Sequence, residues 1–160
     1  MQHRTKALPG LFAVAALALP AAAHADTTLT FKEVDKGSTF AFIDNPPKAK
    51  GKSHRPSAGD AFVISTPLSD NAGKHIGRLQ AQCTITKPGK TDSTTAAICF
   101  GAFTFKNGVL DVMVSMSNLN SKTTAGGVLG GTGAYAGARG TFVAKQTKSG
   151  NDDTVTLLGS

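Results

Sequence analysis

The sequence predicts an all-β protein, an eight-stranded antiparallel closed barrel, and three observations support this prediction. Beyond residue 25, short runs alternate between apolar and polar residues, as half-buried strands do. Turn-forming Gly, Asn, Asp, Pro and Ser separate these runs, and no segment there shows the spacing of an amphipathic helix. Eight or nine strands joined mostly by short turns favour a closed barrel, because closure removes exposed sheet edges.

The N-terminal segment, residues 1–25, has the pattern of a Sec-type signal peptide ahead of a barrel domain at 26–160. A basic start with Arg4 and Lys6 precedes a short apolar stretch and an A-x-A site that ends at Ala25. The apolar stretch is short for a membrane span, and a buried helix or membrane anchor is the alternative interpretation. We expect cleavage near Ala25 and a secreted protein, periplasmic or extracellular, that does not insert into a membrane.

The strands follow the signal segment in chain order, and glycine-rich or acidic turns separate them. The predicted runs are TTLTFKEV, STFAFID, DAFVISTPL, GRLQAQCTI, the hairpin TAAICFGAFTFKNGVLDVMVSMS, AGGVLGG, ARGTFVAKQT and TVTLLG. Asn107-Gly108 predicts a two-residue type I′ turn that pairs Lys106 with Val109 and places Cys99 opposite Met116. The last predicted turn is Gly150-Asn151-Asp152-Asp153.

The two cysteines, Cys83 and Cys99, predict a disulfide. Cys83 lies on the apolar face of GRLQAQCTI, and a hairpin through residues 86–94 would bring it opposite Cys99. An even pair in an oxidising compartment favours a bridge, which would contribute on the order of 3 kcal/mol. Two reduced, inward-facing cysteines are the alternative.

The charge of the chain is moderately basic. Removing Arg4 and Lys6 from 17 Lys and Arg leaves 15 against 10 Asp and Glu, a net charge of +5. Part of it lies in a Pro-flanked stretch at 48–55, which indicates either a solvated loop or a patch that binds anions or envelope glycans. Its basic residues are Lys48, Lys50, Lys52 and Arg55. No nucleic-acid-binding motif accompanies the charge, so nucleic acid is not an expected partner.

The stretch GGTGAYAGARG at 130–140 contains the spacing G-x-G-x-x-A of a dinucleotide-binding loop. That fingerprint needs a strand before it and a helix after it, whereas strand follows here. The chain also lacks a G-x-S-x-G elbow, and His54 and His75 have no partner at metal-ligand spacing. We therefore expect neither a cofactor nor a metal.

The same stretch resembles the GGTGxFxxARG signature of dirigent proteins and the GGSGxFxGAxG signature of allene oxide cyclases. FKEVDKGS and SAGDAFVISTPLSDNAGKHIGRLQAQC are similar to further cyclase segments, so the resemblance covers nearly all of residues 26–160. It implies an eight-stranded barrel with a hydrophobic lumen, a homotrimer and no cofactor. Cyclases steer ring closure of a fatty-acid epoxide, and dirigent proteins direct the coupling of phenoxy radicals. Confinement in a fixed pocket is the shared principle.

Residue by residue, the resemblance implies a candidate site. Glu33, Asp35 and Arg139 are the candidate catalytic residues, because they match an inward cyclase Glu, a cyclase Asn and the dirigent arginine. The candidate ligand-binding residues are Cys83, Tyr135 and Phe31, and the glycines assigned to backbone shape are Gly130, Gly131 and Gly133. Two departures stand out: Asp35 replaces an Asn, and no acid precedes the glycine run, where dirigent proteins have one.

Three functional hypotheses follow from the sequence. The first is a secreted, cofactor-free barrel that binds a small hydrophobic or aromatic ligand and steers its cyclisation or coupling. The second is a non-catalytic structural or interaction barrel at the cell surface, with its lumen packed shut. The third is binding of anions or envelope glycans through the basic loop at 48–55. The sequence leaves enzyme status open; the resemblance implies an isomerase-like or coupling activity.

Overall fold

The computed structural model describes residues 26–46 and 56–159 of the 160-residue chain. The predicted signal peptide and the basic loop at 48–55, with His54, lie outside these residues. The elements are β1 Thr27–Val34, β2 Thr39–Ile43, β3 Ala61–Ser69, β4 His75–Lys87, a 3-10 turn Asp92–Thr94, β5 Ala96–Phe105, β6 Gly108–Met116, β7 Thr123–Gly133, β8 Gly140–Gln146 and β9 Gly150–Leu157. Within the described ranges, no helix is long and apolar enough to cross a membrane.

The strands close into an eight-stranded antiparallel barrel, as the sequence predicts. β1 pairs with β9. Each strand from β9 to β4 then pairs with the strand that precedes it in sequence, so the series ends at β3. The circle closes where Lys32 and Glu33 of β1 pair with Ser69 and Leu68 of β3. β2 lies outside the closed ring and pairs with the other half of β3, from Thr39–Ser65 to Ile43–Ala61. The barrel therefore has one extra edge strand beside a short seam.

The β5–β6 hairpin differs from the predicted register by two residues. Phe105 pairs with Gly108, so Lys106 and Asn107 form the turn, and Cys99 lies opposite Val114 rather than Met116. A type I′ turn needs positive φ at both central residues, but no described non-glycine residue has positive φ. The predicted turn type is therefore wrong. A shift of two residues keeps each side chain on its predicted face, because side chains alternate with a period of two.

The last hairpin also differs from the prediction, since Gly150–Asp153 is not a turn. These residues begin β9 and pair with β1 from Val34–Gly150 to Phe31–Asp153. The chain reverses earlier, where the Thr147 N–H donates to the Gly150 carbonyl at 2.9 Å. These turn-forming residue types belong to a strand because they pair with β1. As a result, Asn151 and Asp153 point into the barrel and Asp152 points out.

The predicted disulfide between Cys83 and Cys99 is confirmed. The two residues are direct partners in the β4–β5 ladder, with 3.9 Å between their Cα atoms. The bridge closes a segment of 16 residues in sequence, a loop for which chain-entropy models give about 3 kcal/mol. No thiol therefore remains at Cys83.

Candidate functional site

One end of the barrel is filled by the apolar core and the other end contains a cavity. In the filled half the ring of Phe31 packs edge-to-face on Phe103 and Phe105, with centroids 5.0 and 5.3 Å apart. Leu110 and Val155 are fully buried in the same core. Above Phe103 and Phe142 the lumen opens into a cavity of about 310 Å³, which lies at the lower limit of typical ligand pockets. We call it the lumen cavity.

The residues that line the lumen cavity explain why it stays open. Small residues, Ala81, Gly101 and Ala144, occupy three inward positions on β4, β5 and β8 and leave space that larger side chains would fill. Other walls are apolar: Phe62, Ile64, Leu79, Cys83, Cys99, Phe103, Val112, Val114, Met116, Leu119 and Phe142. The polar lining consists of Glu33, Ser121, Thr124, Gln146 and Asn151. The cavity is thus a mainly apolar space with a few convergent polar groups.

Two carboxyl groups and one amide form the polar centre of the site. Glu33 of β1 and Asn151 of β9 are cross-strand partners, and Asn151 Nδ2 donates to Glu33 Oε2 at 2.8 Å. Asp153, two residues along β9 on the same inward face, is 2% exposed. Neither of its carboxylate oxygens receives a hydrogen bond from a donor among the described residues. We call Glu33 and Asp153 the carboxyl pair.

Burial raises the pKa of both members of the carboxyl pair. For Asp153 the causes, in order, are burial, the negative charge of Glu33 and a hydrogen bond to the Glu33 side chain, and together they raise the pKa to about 8. For Glu33, burial raises the pKa, while hydrogen bonds from Asn151 and Asp153 oppose the rise. Two neighbouring carboxyls hydrogen-bond only when one is protonated. With a pKa of about 8, the Asp153 carboxyl is protonated at neutral pH.

Sequence reasoning found Glu33 and missed its partners. The composition of Gly-Asn-Asp-Asp predicts a turn that would contain Asn151 and Asp153. The available signal was the alternation through NDDTVTLL, which puts Asn151, Asp153 and Val155 on one face. Residues on that face of a barrel strand point to the interior. An acid in register with the buried Val155 therefore indicates an inward carboxyl.

The other sequence-predicted site residues do not all meet at the lumen cavity. Cys83 lines it as half of a disulfide. Asp35 is exposed beyond the end of β1 and acts on the site only through its charge, which raises the pKa of Glu33. Phe31 is buried in the core below the cavity. Arg139 and Tyr135 do not line the lumen cavity.

Arg139 and Tyr135 lie in the loop between β7 and β8. The Arg139 side chain is exposed, and its backbone carbonyl accepts a hydrogen bond from the Leu158 N–H at 2.9 Å. The half-buried Tyr135 ring packs against Phe105 with centroids 5.6 Å apart, at the edge of the apolar core. The contacts of both residues fix the β7–β8 loop, and neither residue lines the lumen cavity.

The three glycines assigned to backbone shape have different environments. Gly133 has φ of +60°, a conformation that favours glycine. A Cβ at Gly131 would lie 2.4 Å from the Val109 carbonyl oxygen and 2.6 Å from that of Tyr135. A Cβ at Gly130 would have no atom within 4 Å. Close packing and positive φ therefore explain Gly131 and Gly133, and neither applies to Gly130.

The fold and the cavity together define a class, the closed eight-stranded antiparallel barrels whose lumen has room for a small molecule. The family model described as "Dirigent-like protein" matches residues 30–158, and the chain belongs to this family. A comparison with curated proteins finds no match. Among the described residues no group of three or more His, Cys, Asp and Glu side chains could hold a metal ion.

Solved structures share the barrel at low sequence identity. A structure named pyocyanin demethylase has 20% identity and a TM-score of 0.61, over 82% of this chain and 99% of that chain. The pterocarpan synthase dirigent protein GePTS1 has 16% identity and a TM-score of 0.60, over 94% and 100%. The Diels–Alderase AbmU from Streptomyces koyangensis has 17% identity and a TM-score of 0.58, over 84% of this chain and 64% of that chain. These likenesses concern the fold.

Proposed function

We propose that the chain binds a small, mainly apolar ligand in the lumen cavity and steers the reaction of that ligand by confinement. The carboxyl pair exchanges a proton with the bound molecule. The observation that carries this proposal is the placement of Glu33, hydrogen-bonded to Asn151, in the wall of an otherwise apolar cavity of about 310 Å³. A buried carboxyl with a raised pKa can act as an acid or a base near neutral pH.

The carboxyl pair contains both a proton donor and a proton acceptor. Asp153, with a pKa of about 8, holds a proton at neutral pH, and Glu33 faces the cavity as its acceptor. Apolar walls limit the number of orientations that a ligand adopts, which favours one near-attack geometry. The structural neighbours are named for a demethylase, a Diels–Alderase and a pterocarpan synthase, so the barrel supports several reactions and the site must define the chemistry.

Export of the chain is the setting that we propose for this activity. A disulfide is typical of oxidising compartments, and the Cys83–Cys99 bridge supports the expectation. Cleavage near Ala25 stays a prediction, because residues 1–25 are outside the described part of the chain. The alternative role of the basic loop at 48–55 also stays a prediction.

A ligand-binding measurement tests the proposal. Naphthalenemethanol, a neutral two-ring alcohol, serves as the probe, and its binding is followed by isothermal titration calorimetry. We expect one site per chain and at least tenfold weaker binding in Ala81→Leu, which fills the cavity. Gln82→Leu is the matched control, because Gln82 is the adjacent, exposed residue on β4 and points away from the lumen.

Two outcomes would overturn the proposed function. One is the absence of saturable binding for neutral, cationic and anionic naphthalene probes alike. The other is binding that Ala81→Leu leaves unchanged, since the probe would then occupy another surface. Native mass spectrometry of the secreted protein reports in addition the cargo that it retains and the number of chains per particle, for which the resemblance implies three.

A further inference from the structure

We propose that the lumen cavity selects a ligand that carries a positive charge on a small apolar or aromatic body, such as an aromatic ammonium or a cationic nitrogen heterocycle. This inference rests on the proposed function, because it names the ligand class for the same cavity. It is carried by an imbalance of charge: the Glu33 carboxyl lines the cavity, and among the described residues no cationic side chain lines it.

The imbalance is visible in the cavity lining. Glu33 reaches the cavity, and Asp153 lies behind it on the same inward face of the barrel. No Lys, Arg or His contributes to the lining within the described ranges. The ion pair between Lys32 Nζ and Asp152 Oδ1, 3.7 Å apart, involves half-exposed side chains whose strand positions face outward. It leaves the inward charge uncompensated.

The acidic neighbours of the carboxyl pair raise its pKa values, and the lysines of the same strands, Lys32 on β1 and Lys145 on β8, are exposed and do not line the cavity. The charge of Asp35, beyond the end of β1, raises the pKa of Glu33, and the charge of Asp152 on β9 raises the pKa of Asp153. The neighbouring partner of Glu33 on β3 is Leu68, and that of Asp153 on β8 is Ala144. The cavity walls from β3 to β8 present no ionisable side chain among the described residues. Glu33 is therefore the one ionisable group in the lining among the described residues, and its ionised form has no cationic partner there.

A cationic ligand would stabilise this charge, whereas a neutral ligand would displace the water that solvates it. Burying a charge without a partner is costly, and a partner of opposite sign offsets that cost. The aromatic rings of Phe62, Phe103 and Phe142 line the same cavity, and the faces of such rings attract cations. Carboxyl pair and aromatic walls thus favour the same ligand class. An anionic ligand would be repelled.

Three probes of equal size test the selectivity: naphthylmethylamine, naphthalenemethanol and naphthoate, titrated at pH 7 by calorimetry. We expect the ammonium to bind at least tenfold more tightly than the alcohol, and naphthoate to bind more weakly than both. At pH 5 the preference for the ammonium should shrink, because protonation of the carboxyl pair removes the charge. Titration at pH 7 in two buffers of different ionisation enthalpy should show proton release for the ammonium alone.

Variants identify the residues that cause the preference for the ammonium probe. The preference is measured within each protein as the ratio of ammonium to alcohol affinity. In Glu33→Gln/Asp153→Asn the ratio should fall to about one. Asp111→Asn, which removes an exposed carboxylate on β6, should leave the ratio within threefold of the wild-type value. If the double variant does not fold, proton release by the wild-type protein decides the question.

The failures of the two proposals are distinguishable. If the alcohol binds in an Ala81-sensitive manner and at least as tightly as the ammonium, the inferred ligand class is wrong and the proposed function stands. The inference is also overturned if the ammonium probe binds more tightly but no proton is released. It is overturned as well if the preference for the ammonium persists in the double variant. If none of the three probes binds, both proposals fail.

Discussion

At the scale of single residues, Asp153 couples the stability of the fold to pH. Its carboxyl has a pKa of about 8 in the folded chain against 3.8 as the ordinary value, so the folded state binds a proton that the unfolded state has released. The contribution of Asp153 to the free energy of unfolding is therefore greatest below about pH 4. It decreases as pH rises through the pKa of the folded state.

The expected result is a loss of unfolding free energy between pH 5 and pH 8.5. One unit of pKa difference corresponds to about 1.4 kcal/mol, and we expect a loss of at least about 2 kcal/mol from Asp153. Asp153→Asn keeps a donor toward Glu33 and should flatten the dependence in this window. Urea denaturation at a series of pH values measures it, with Asp111→Asn, at an exposed position on β6, as the control. Parallel pH profiles for wild type and Asp153→Asn would contradict the assignment.

The residues of the site were only partly predictable from the sequence. The position of Glu33 could be predicted, because the resemblance places an inward Glu there. The structure places Glu33 at the cavity. The positions of Asn151 and Asp153 could not be predicted, because turn propensity and strand register compete in Gly-Asn-Asp-Asp, and pairing with β1 decides between them. Local composition cannot report a partner 118 residues away, which is the separation of Glu33 and Asn151.

At the scale of elements, neighbouring glycines in the β7–β8 closure differ in what they tolerate. A methyl group at Gly131 would meet two backbone carbonyls, of Val109 and Tyr135, which cannot rotate away. Gly130 has open space and no positive φ. We expect Gly131→Ala to cost roughly 1–3 kcal/mol, the usual range for overpacking, and Gly130→Ala to change stability by less than about 0.5 kcal/mol.

Chemical denaturation of the two variants measures this difference directly. Equal stabilities of the two variants would show that the backbone of the β7–β8 loop shifts to accept a methyl group at Gly131. The close approach of Tyr135 would then not explain the glycine. The pair also separates the glycine signature into positions that the fold requires and positions that it does not. Sequence alone cannot make that distinction, because close approach depends on which backbone lies beside each glycine.

Strand positions were more predictable than turn geometry. The alternation in GRLQAQCTI and in the β5–β6 hairpin identified the inward faces, and the Cys83–Cys99 pairing followed from those faces. The turn at Lys106-Asn107 was misplaced because Asn-Gly favours a type I′ turn locally. In the structure, Gly108 instead pairs with both Phe105 and Gly133, so tertiary pairing outweighs turn preference.

At the scale of the whole molecule, a barrel was predictable because every predicted strand needs two neighbours to satisfy its backbone. The sequence could not show where the ring closes. Closure uses two residue pairs between β1 and β3, and β2 takes the rest of the β3 edge. β2 has exposed side chains throughout and a single partner strand. The seam is therefore the least supported part of the described barrel.

Hydrogen exchange in the native protein should report this unevenness. Segments with few buried contacts open locally, whereas central strands exchange only on global unfolding. We expect β2 amides to exchange at least about tenfold faster than those of β5, which has strands on both sides. Phe40 of β2 stacks on Phe62 with centroids 5.6 Å apart, and Phe62 lines the cavity. A lumen ligand should therefore slow exchange in β2. Protection of β2 equal to that of β5 without ligand would place the weakest point of the barrel elsewhere.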